Sequence, residues 1–452
     1  MTTISEHYRD NEEEDPLLDS PRESLEDLSY DVEHGDHEAN VGWQTTRYKY
    51  KILVLAASTI VTGLFSGVSL SVNQALLVPP PLIVPPPVLL QVRAISKPGQ
   101  LPNISPAVAG AVLASFVPTL VPFIIIPLYK KIGFGGALVA GIIGIFIANV
   151  FASFDLGVVA FAIGSAVGNL GSALFLQTLS IWTSIQASPY ALVGVITGLH
   201  HVWLFVGVKL YTIMSDHSWP TSHFYQISAP FAMALIPCFW LSFRNENPSK
   251  YTSTYSNELG FRESFKVNSV WLFALTLSVA GGLVAMMIPG GLSWSLGSQP
   301  ISPDYNSTFY LFGGLGNIII GCGINALNQQ HQHRAVLYLI PVAGIFVLLF
   351  GVVRAQLLKS TFYSLALFCV NPVWSFLFIL AASIFQKDHY VQAVRSAVVG
   401  SLVVSIPIGL LIGIILPLLR ILVGAASSII VIILHLVALY YCYHRALKQT
   451  PE

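Results

Sequence analysis

The sequence predicts an all-α membrane protein of about twelve transmembrane helices, arranged as two six-helix pseudo-repeats. Three observations carry that expectation. Of the 452 residues, 54% are hydrophobic and only 10% are charged, where a soluble domain carries roughly a quarter charged. The apolar residues fall in long runs, each near the roughly 20 residues a helix needs to cross hydrocarbon. A polar connection at residues 244–267 separates equal sets of these runs. For a surface so short of charge, the solvent is lipid.

Residues 1–46 precede the first run and read as a disordered, acidic, cytoplasmic tail. Fourteen of the 22 acidic residues lie before residue 40, and such a segment buries too little apolar surface to fold alone. The body that follows is basic and apolar. The N-terminus has no apolar signal-peptide core, so the first span is expected to act as the insertion signal. Within the tail, Glu13-Glu-Asp-Pro-Leu17-Leu18 resembles the acidic dileucine signals read by vesicle-sorting adaptors. Glu13, Leu17 and Leu18 are therefore a candidate sorting signal, with an adaptor as a candidate partner. An endolysosomal or vacuolar membrane is favoured over the plasma membrane. The alternative is a disordered tail that happens to contain two leucines.

Helices are expected near residues 50–72, 106–127, 134–153, 157–180, 190–213 and 224–243, forming a first bundle over 47–243. A second bundle over 268–448 takes helices near 268–290, 308–327, 335–353, 361–385, 394–416 and 418–443. Pro417 sets the last boundary. Proline triplets at 79–81 and 85–87 suggest a short polyproline stretch in the first external loop.

Charge gives an orientation. Lys130, Lys131, Arg244, Lys250, Arg262, Lys266, Arg334, Lys387, Arg395, Arg445 and Lys448 all fall on one side, together with both termini. The positive-inside tendency makes that side cytoplasmic. The two glycosylation sequons, at Asn306 and Asn103, then both fall in non-cytoplasmic loops. Pro106 follows the second, so Asn306 is the better acceptor. Trp182, Trp203, Trp240, Trp271 and Trp294 read mostly as interfacial belt residues.

The layout resembles the major facilitator superfamily over residues 47–448. The family's motif between its second and third spans runs Gly-x-x-x-Asp-Arg-x-Gly-Arg-Arg. Here Ile126-Pro-Leu-Tyr-Lys130-Lys131-Ile-Gly133-Phe134-Gly135 stands in that place. Lys131 and Gly133 match; Ile126 replaces the first glycine, Lys130 the aspartate, and Phe134 and Gly135 the arginine pair. Ser278-Val-Ala-Gly-Gly-Leu283 and Leu311-Phe-Gly-Gly-Leu-Gly-Asn317 are reminiscent of its nodulin-like and monocarboxylate-transporter-like branches. The resemblance implies a secondary transporter of a small organic solute, working by alternating access, with its site near the midplane between two halves. Equilibrative nucleoside carriers share the acidic tail and the long central loop. Their Pro-Trp-Asn signature is replaced here by Ser71-Val-Asn73-Gln74. A non-transporting receptor, scaffold or trafficking factor is the alternative of another class.

Ionisable and amide residues inside the runs are the candidate solute contacts. No Asp or Glu lies within a predicted span: Asp155, Asp216, Asp304 and Asp388 fall in loops or at ends. A buried carboxylate is the usual proton site of coupled carriers, so its absence favours facilitation, or an anionic or zwitterionic solute such as a monocarboxylate or amino acid. The fifth span holds His200, His201 and Lys209. His201 and Lys209 are eight residues apart, about 80° around a helix, and can share a face. Lys209 either snorkels to the interface or lines a cavity. A histidine is either a proton-linked group or simply hydrogen-bonded to a neighbouring helix. Asn169 and Gln177 in the fourth span, Asn317 in the eighth and Asn371, before Pro372, in the tenth are either interhelical glue or solute contacts.

Cys238, Cys322, Cys369 and Cys442 show no metal-ligand spacing and read as buried single thiols. The sequence has no Walker loop, no HExxH motif and no Cys/His cluster. An enzyme reading therefore has no support, and no cofactor, metal or nucleic-acid partner is expected. The expected partners are a small-molecule solute, membrane lipid and the sorting adaptor.

Overall fold

A computed structural model describes residues 37–77, 121–154, 158–184, 188–244, 261–287, 303–385, 392–401 and 426–450, with a few isolated positions between them. Every element among the described residues is helical. Contacts divide the chain into residues 1–50 and 51–452. Of the first unit the start of α1 is described; the other helices belong to the second.

The helices are α1 (His37–Leu77), α2 (Val121–Ser153), α3 (Val158–Ser184), α4 (Pro189–Asp216) and α5 (Thr221–Phe243). After a single turn at Phe261–Ser264 come α6 (Asn268–Met287), α7 (Pro303–Asn325), α8 (Gln329–Val352), α9 (Gln356–Ile384) and α10 (Ala426–Leu447). Lipid offers backbone groups no partner, so each span must satisfy its own hydrogen bonds as a helix. Among the described residues, 8 helices are long and apolar enough to cross a membrane, and the chain is an integral multi-pass membrane protein. Their outer faces agree: Ile227, Phe231 and Met233 of α5 are 65%, 62% and 60% exposed, a stripe that only lipid solvates without cost.

Most expected spans coincide with a helix to within a few residues. The differences are at ends. α1 begins at His37, inside the stretch read as tail, because a helix nucleated by an apolar run propagates cheaply into its flank. α7 begins at Pro303, so Asn306 lies in its first turn. The chain inside α2 breaks at Gly133, whose φ of 67° and ψ of −176° suit only a residue without Cβ. That glycine separates the second expected span from the third. Glu13, Leu17, Leu18, Asn103, the proline triplets, Trp294 and Pro417 lie outside the described residues, as do most of the expected spans 106–127 and 394–416 and of the connection 244–267.

Helices before residue 244 approach through glycine. On α2 and α3, a methyl group at Gly171 would sit 2.5 Å from the Gly141 carbonyl oxygen and 3.0 Å from the Gly144 Cα. Without side chains there, the backbones meet and dispersion replaces the missing hydrophobic drive of the bilayer. Beside this pair, Trp182 packs edge-on against Phe243, their centroids 5.5 Å apart. Trp182, two residues from the end of α3, is only 1% exposed. Its place at the α3–α5 contact, not its type, decides its burial. Hydroxyls on α1 turn back onto their own helix: Ser58 donates to the Leu55 carbonyl at 2.6 Å and Ser71 to that of Gly67 at 2.9 Å. This satisfies a polar group in an apolar setting without needing a neighbour.

After residue 261, α9 packs against α6, α7 and α8. It carries the core residues Phe376, Leu377, Leu380 and Ala381, each 0% exposed. The Tyr363 hydroxyl donates to the Met287 carbonyl at the end of α6. On the helical stretch 392–401, Ser396 is hydrogen-bonded to Ser264. Gly400 faces Ala274 of α6.

The glycine packing predicts an outcome. Gly171→Leu should lower the thermal unfolding midpoint of detergent-purified protein, at a cost of about 1–3 kcal/mol or more, since overpacked backbones must separate. Gly323→Ala, with nothing within 4 Å, should leave the midpoint unchanged or raise it slightly.

Candidate functional site

A polar layer lies where α4 crosses α7 and α9. The crossing is close because glycines face each other: Gly194 and Gly198 on α4 meet Gly321, Asn317 and Gly314 on α7. A methyl at Gly198 would stand 2.7 Å from the Gly314 carbonyl oxygen, and one at Gly321 would stand 2.6 Å from that of Tyr190.

Asn317 is the centre of this layer and is 0% exposed. Its Nδ2 donates to Thr197 Oγ1 on α4 at 3.1 Å and to Ser375 Oγ on α9 at 3.0 Å. Thr197 passes its own proton to the Val193 carbonyl at 2.6 Å, so its oxygen is free to accept. One amide thus joins three helices from both sides of the central connection. Its Oδ1 is buried with no hydrogen-bond partner.

One turn away, Asn371 of α9 is 4% exposed and its Nδ2 also has no hydrogen-bond partner. It lies beside Gly313, whose Cβ position is 3.0 Å from Nδ2. The layer therefore contains an unused acceptor and an unused donor, both buried. Pro372 lacks the N–H that would hold the Phe368 carbonyl four residues back. That carbonyl lies against Gly316 of α7, where a side chain would collide with it. The break in α9 thus abuts a helix that has been trimmed to receive it.

His201 borders the same layer. Its Nδ1 donates to the Thr197 carbonyl at 2.7 Å, which leaves Nε2 as the acceptor. Its Cβ stands 3.1 Å from where a Gly314 Cβ would be. Lys209 is half-buried, about 12 Å further along α4. The structure thus brings His201, Asn317 and Asn371 together and sets Lys209 beyond them. Asn169 and Gln177 lie on α3, their side chains outside the described residues. His200 belongs elsewhere: it is buried against α1, its Nδ1 3.1 Å from Thr62 Oγ1.

Thr197 and Ser375 were not among the residues singled out from the sequence. Short hydroxyls are common in spans and bond to their own helix, so nothing local marks them. At one end of the layer a second cluster, also unmarked by sequence, joins Tyr190, His333 and Ser383.

The arrangement is that of the major facilitator fold. Among solved structures, the chain is similar to the E. coli fucose:proton symporter at 10% identity and a TM-score of 0.58, covering 88% of this chain and 98% of that one. A structure of that symporter in the outward conformation gives 11% identity and a TM-score of 0.61, covering 88% and 99%. The human organic anion transporter MFSD10 gives 15% identity and a TM-score of 0.59, covering 87% and 99%. No protein-family model matches the sequence, and no curated protein does.

Replacing the central amide tests the layer. Asn317→Ala strips Thr197 and Ser375 of a donor and should cost about 1–3 kcal/mol. In a double-mutant cycle with Ser375→Ala, read by unfolding in mixed micelles, the coupling should be near 0.6 and below about 1.7 kcal/mol.

Proposed function

We propose that this protein is a secondary transporter that carries a small organic solute by alternating access. Residues 47–243 and 268–448 form its two halves, with 244–267 as their cytoplasmic connection. One observation carries the reading: in a major facilitator fold, buried amide groups with spare hydrogen-bonding capacity lie where α4 of the first set meets α7 and α9 of the second. A buried donor or acceptor without a partner is costly, and a solute passing between the halves would supply that partner. The similar solved structures, a fucose:proton symporter and an organic anion transporter, support transport of small molecules by this fold.

The solute we favour is anionic or zwitterionic. His201 borders the layer and Lys209 lies further along α4, and α4, α7 and α9 carry acids only at their ends: Asp216 in the last turn of α4 and Asp304 in the first turn of α7. In this reading Asn317 and Asn371 orient the solute by hydrogen bonds, and Asn169 and Gln177 add contacts from α3. Both termini are cytoplasmic, Asn306 is the glycan acceptor, and the tail directs the protein to endolysosomal or vacuolar membranes.

Purified protein in liposomes, screened for counterflow against pooled organic acids, amino acids and nucleosides, tests the function. Uptake of an acid or amino acid that Lys209→Ala abolishes, at unchanged expression, is the expected result. Uptake competed only by nucleosides, or unchanged by Lys209→Ala, would remove the assignment. The address is tested apart from transport: Leu17→Ala with Leu18→Ala should move a fluorescent fusion from vesicles to the cell surface.

A further inference from the structure

His333 lies in the second turn of α8 and uses both of its ring nitrogens. Nδ1 is hydrogen-bonded to the Tyr190 hydroxyl of α4, and Nε2 is 2.9 Å from Ser383 Oγ of α9. Ser383 is also 3.0 Å from the Ile379 carbonyl, which can only accept its proton. Its oxygen must then accept from His333 Nε2–H, and Nδ1 must accept from Tyr190. The direction of every bond follows: Tyr190 O–H to Nδ1, Nε2–H to Ser383, Ser383 O–H to Ile379. This order satisfies each group with a neutral imidazole.

The chain joins α4, from the first set of helices, to α8 and α9 of the second. Its members lie at one membrane face: α4 starts at Pro189, α8 starts at Gln329 and α9 ends at Ile384. Aromatic contacts reinforce it. Tyr190 meets Phe376 of α9 edge-on at 5.2 Å and the His333 ring at 5.9 Å. Tyr190 is only 1% exposed, so water does not replace a lost partner.

A proton on His333 breaks this order. Both nitrogens then carry hydrogen, so Nδ1 can only donate to the phenol oxygen, and the hydrogen of the buried Tyr190 hydroxyl is left without an acceptor. The new charge stands near the positive end of the α8 dipole and next to Arg334. Among the described residues, the titratable groups around it do not offset that charge. From α4 it faces Tyr190, and the buried Tyr443 of α10 stands beside that phenol. From α9 it faces Ser383, while Phe376 packs on Tyr190. From α7, Gly321 touches Tyr190, while Cys322 is exposed. On α8 itself the neighbours are His331 and Arg334. The acids of α4 and α7, Asp216 and Asp304, belong to the opposite helix ends.

We infer that His333 is a proton-binding site that governs opening between the two sets of helices at this face: neutral, it latches Tyr190 to Ser383, and protonated, it releases them. The inference rests on the transport reading for its purpose. The Tyr190–His333–Ser383 chain is its carrying observation. It gives the transporter a proton-responsive gate with no carboxylate among the groups that form it.

The test places spin labels at Ser188→Cys and His331→Cys, both exposed, with the four native cysteines replaced. The protein is held in nanodiscs and distances are measured at pH 7.5 and pH 4.5. The wild-type latch should show a longer-distance population that grows several-fold at pH 4.5. His333→Gln, whose amide can hold both bonds but not titrate, should give one distribution at both pH values. Tyr190→Phe should show the longer population already at pH 7.5. A wild-type distribution blind to pH, or a His333→Gln protein that responds like wild type, would overturn the inference. Should the cysteine-replaced background fail to fold, hydrogen exchange at a single pH reads the same opening in the native-cysteine chain. Faster exchange around 188–195 and 329–336 in Tyr190→Phe supports the latch; exchange unchanged from wild type overturns it. A pH response lost in His333→Gln stands even if counterflow finds no solute. Counterflow through a pH-blind gate leaves transport intact and removes the proton.

Discussion

The approach of α7 to its neighbours through glycine is the constraint on which the candidate site depends. Gly314 and Gly321 let the backbone of α4 come within contact of α7, Gly316 does the same for α9, and Gly313 makes room for the Asn371 side chain. In a bilayer no hydrophobic term drives helices together, because lipid tails are as apolar as leucine. Close backbone approach, with the dispersion and weak Cα–H contacts it allows, supplies the attraction instead. Were these positions alanine or larger, Asn317 would no longer reach Thr197 and Ser375 together.

That packing has an electrostatic consequence. The polar groups held by α7 are amides and hydroxyls, each short and each needing a partner at about 3 Å. Some are closed among themselves, as in the Asn317 fork. Others, Asn317 Oδ1 and Asn371 Nδ2, are left over. A fold held only for stability gains nothing from leaving them so. The Tyr190–His333–Ser383 chain shows the contrasting case, in which every hydrogen has an acceptor and the helices are tied.

Much of the fold was legible from the sequence because lipid imposes a simple rule on it. A run of about twenty apolar residues has one stable structure in hydrocarbon, so α4, α5, α8 and α9 were readable from hydropathy almost to their ends. The site was legible only in part. Asn317, Asn371 and His201 stood out as polar residues in apolar runs, and the structure places them together. Thr197, Ser375, Tyr190 and Ser383 did not stand out, since hydroxyls and phenols are ordinary residues of spans. For Trp182, indole type suggests a depth but says nothing of the neighbour that covers it, here Phe243.

The sequence by itself determined the solvent and the helical secondary structure, both of which follow from composition and period along one dimension. Only the tertiary structure decided which polar residues meet. Thr197, Asn317 and Ser375 are separated by 120 and 58 positions, and their meeting depends on which glycine faces oppose each other. Such a pairing is a property of two helices at once. No local pattern in either one encodes it.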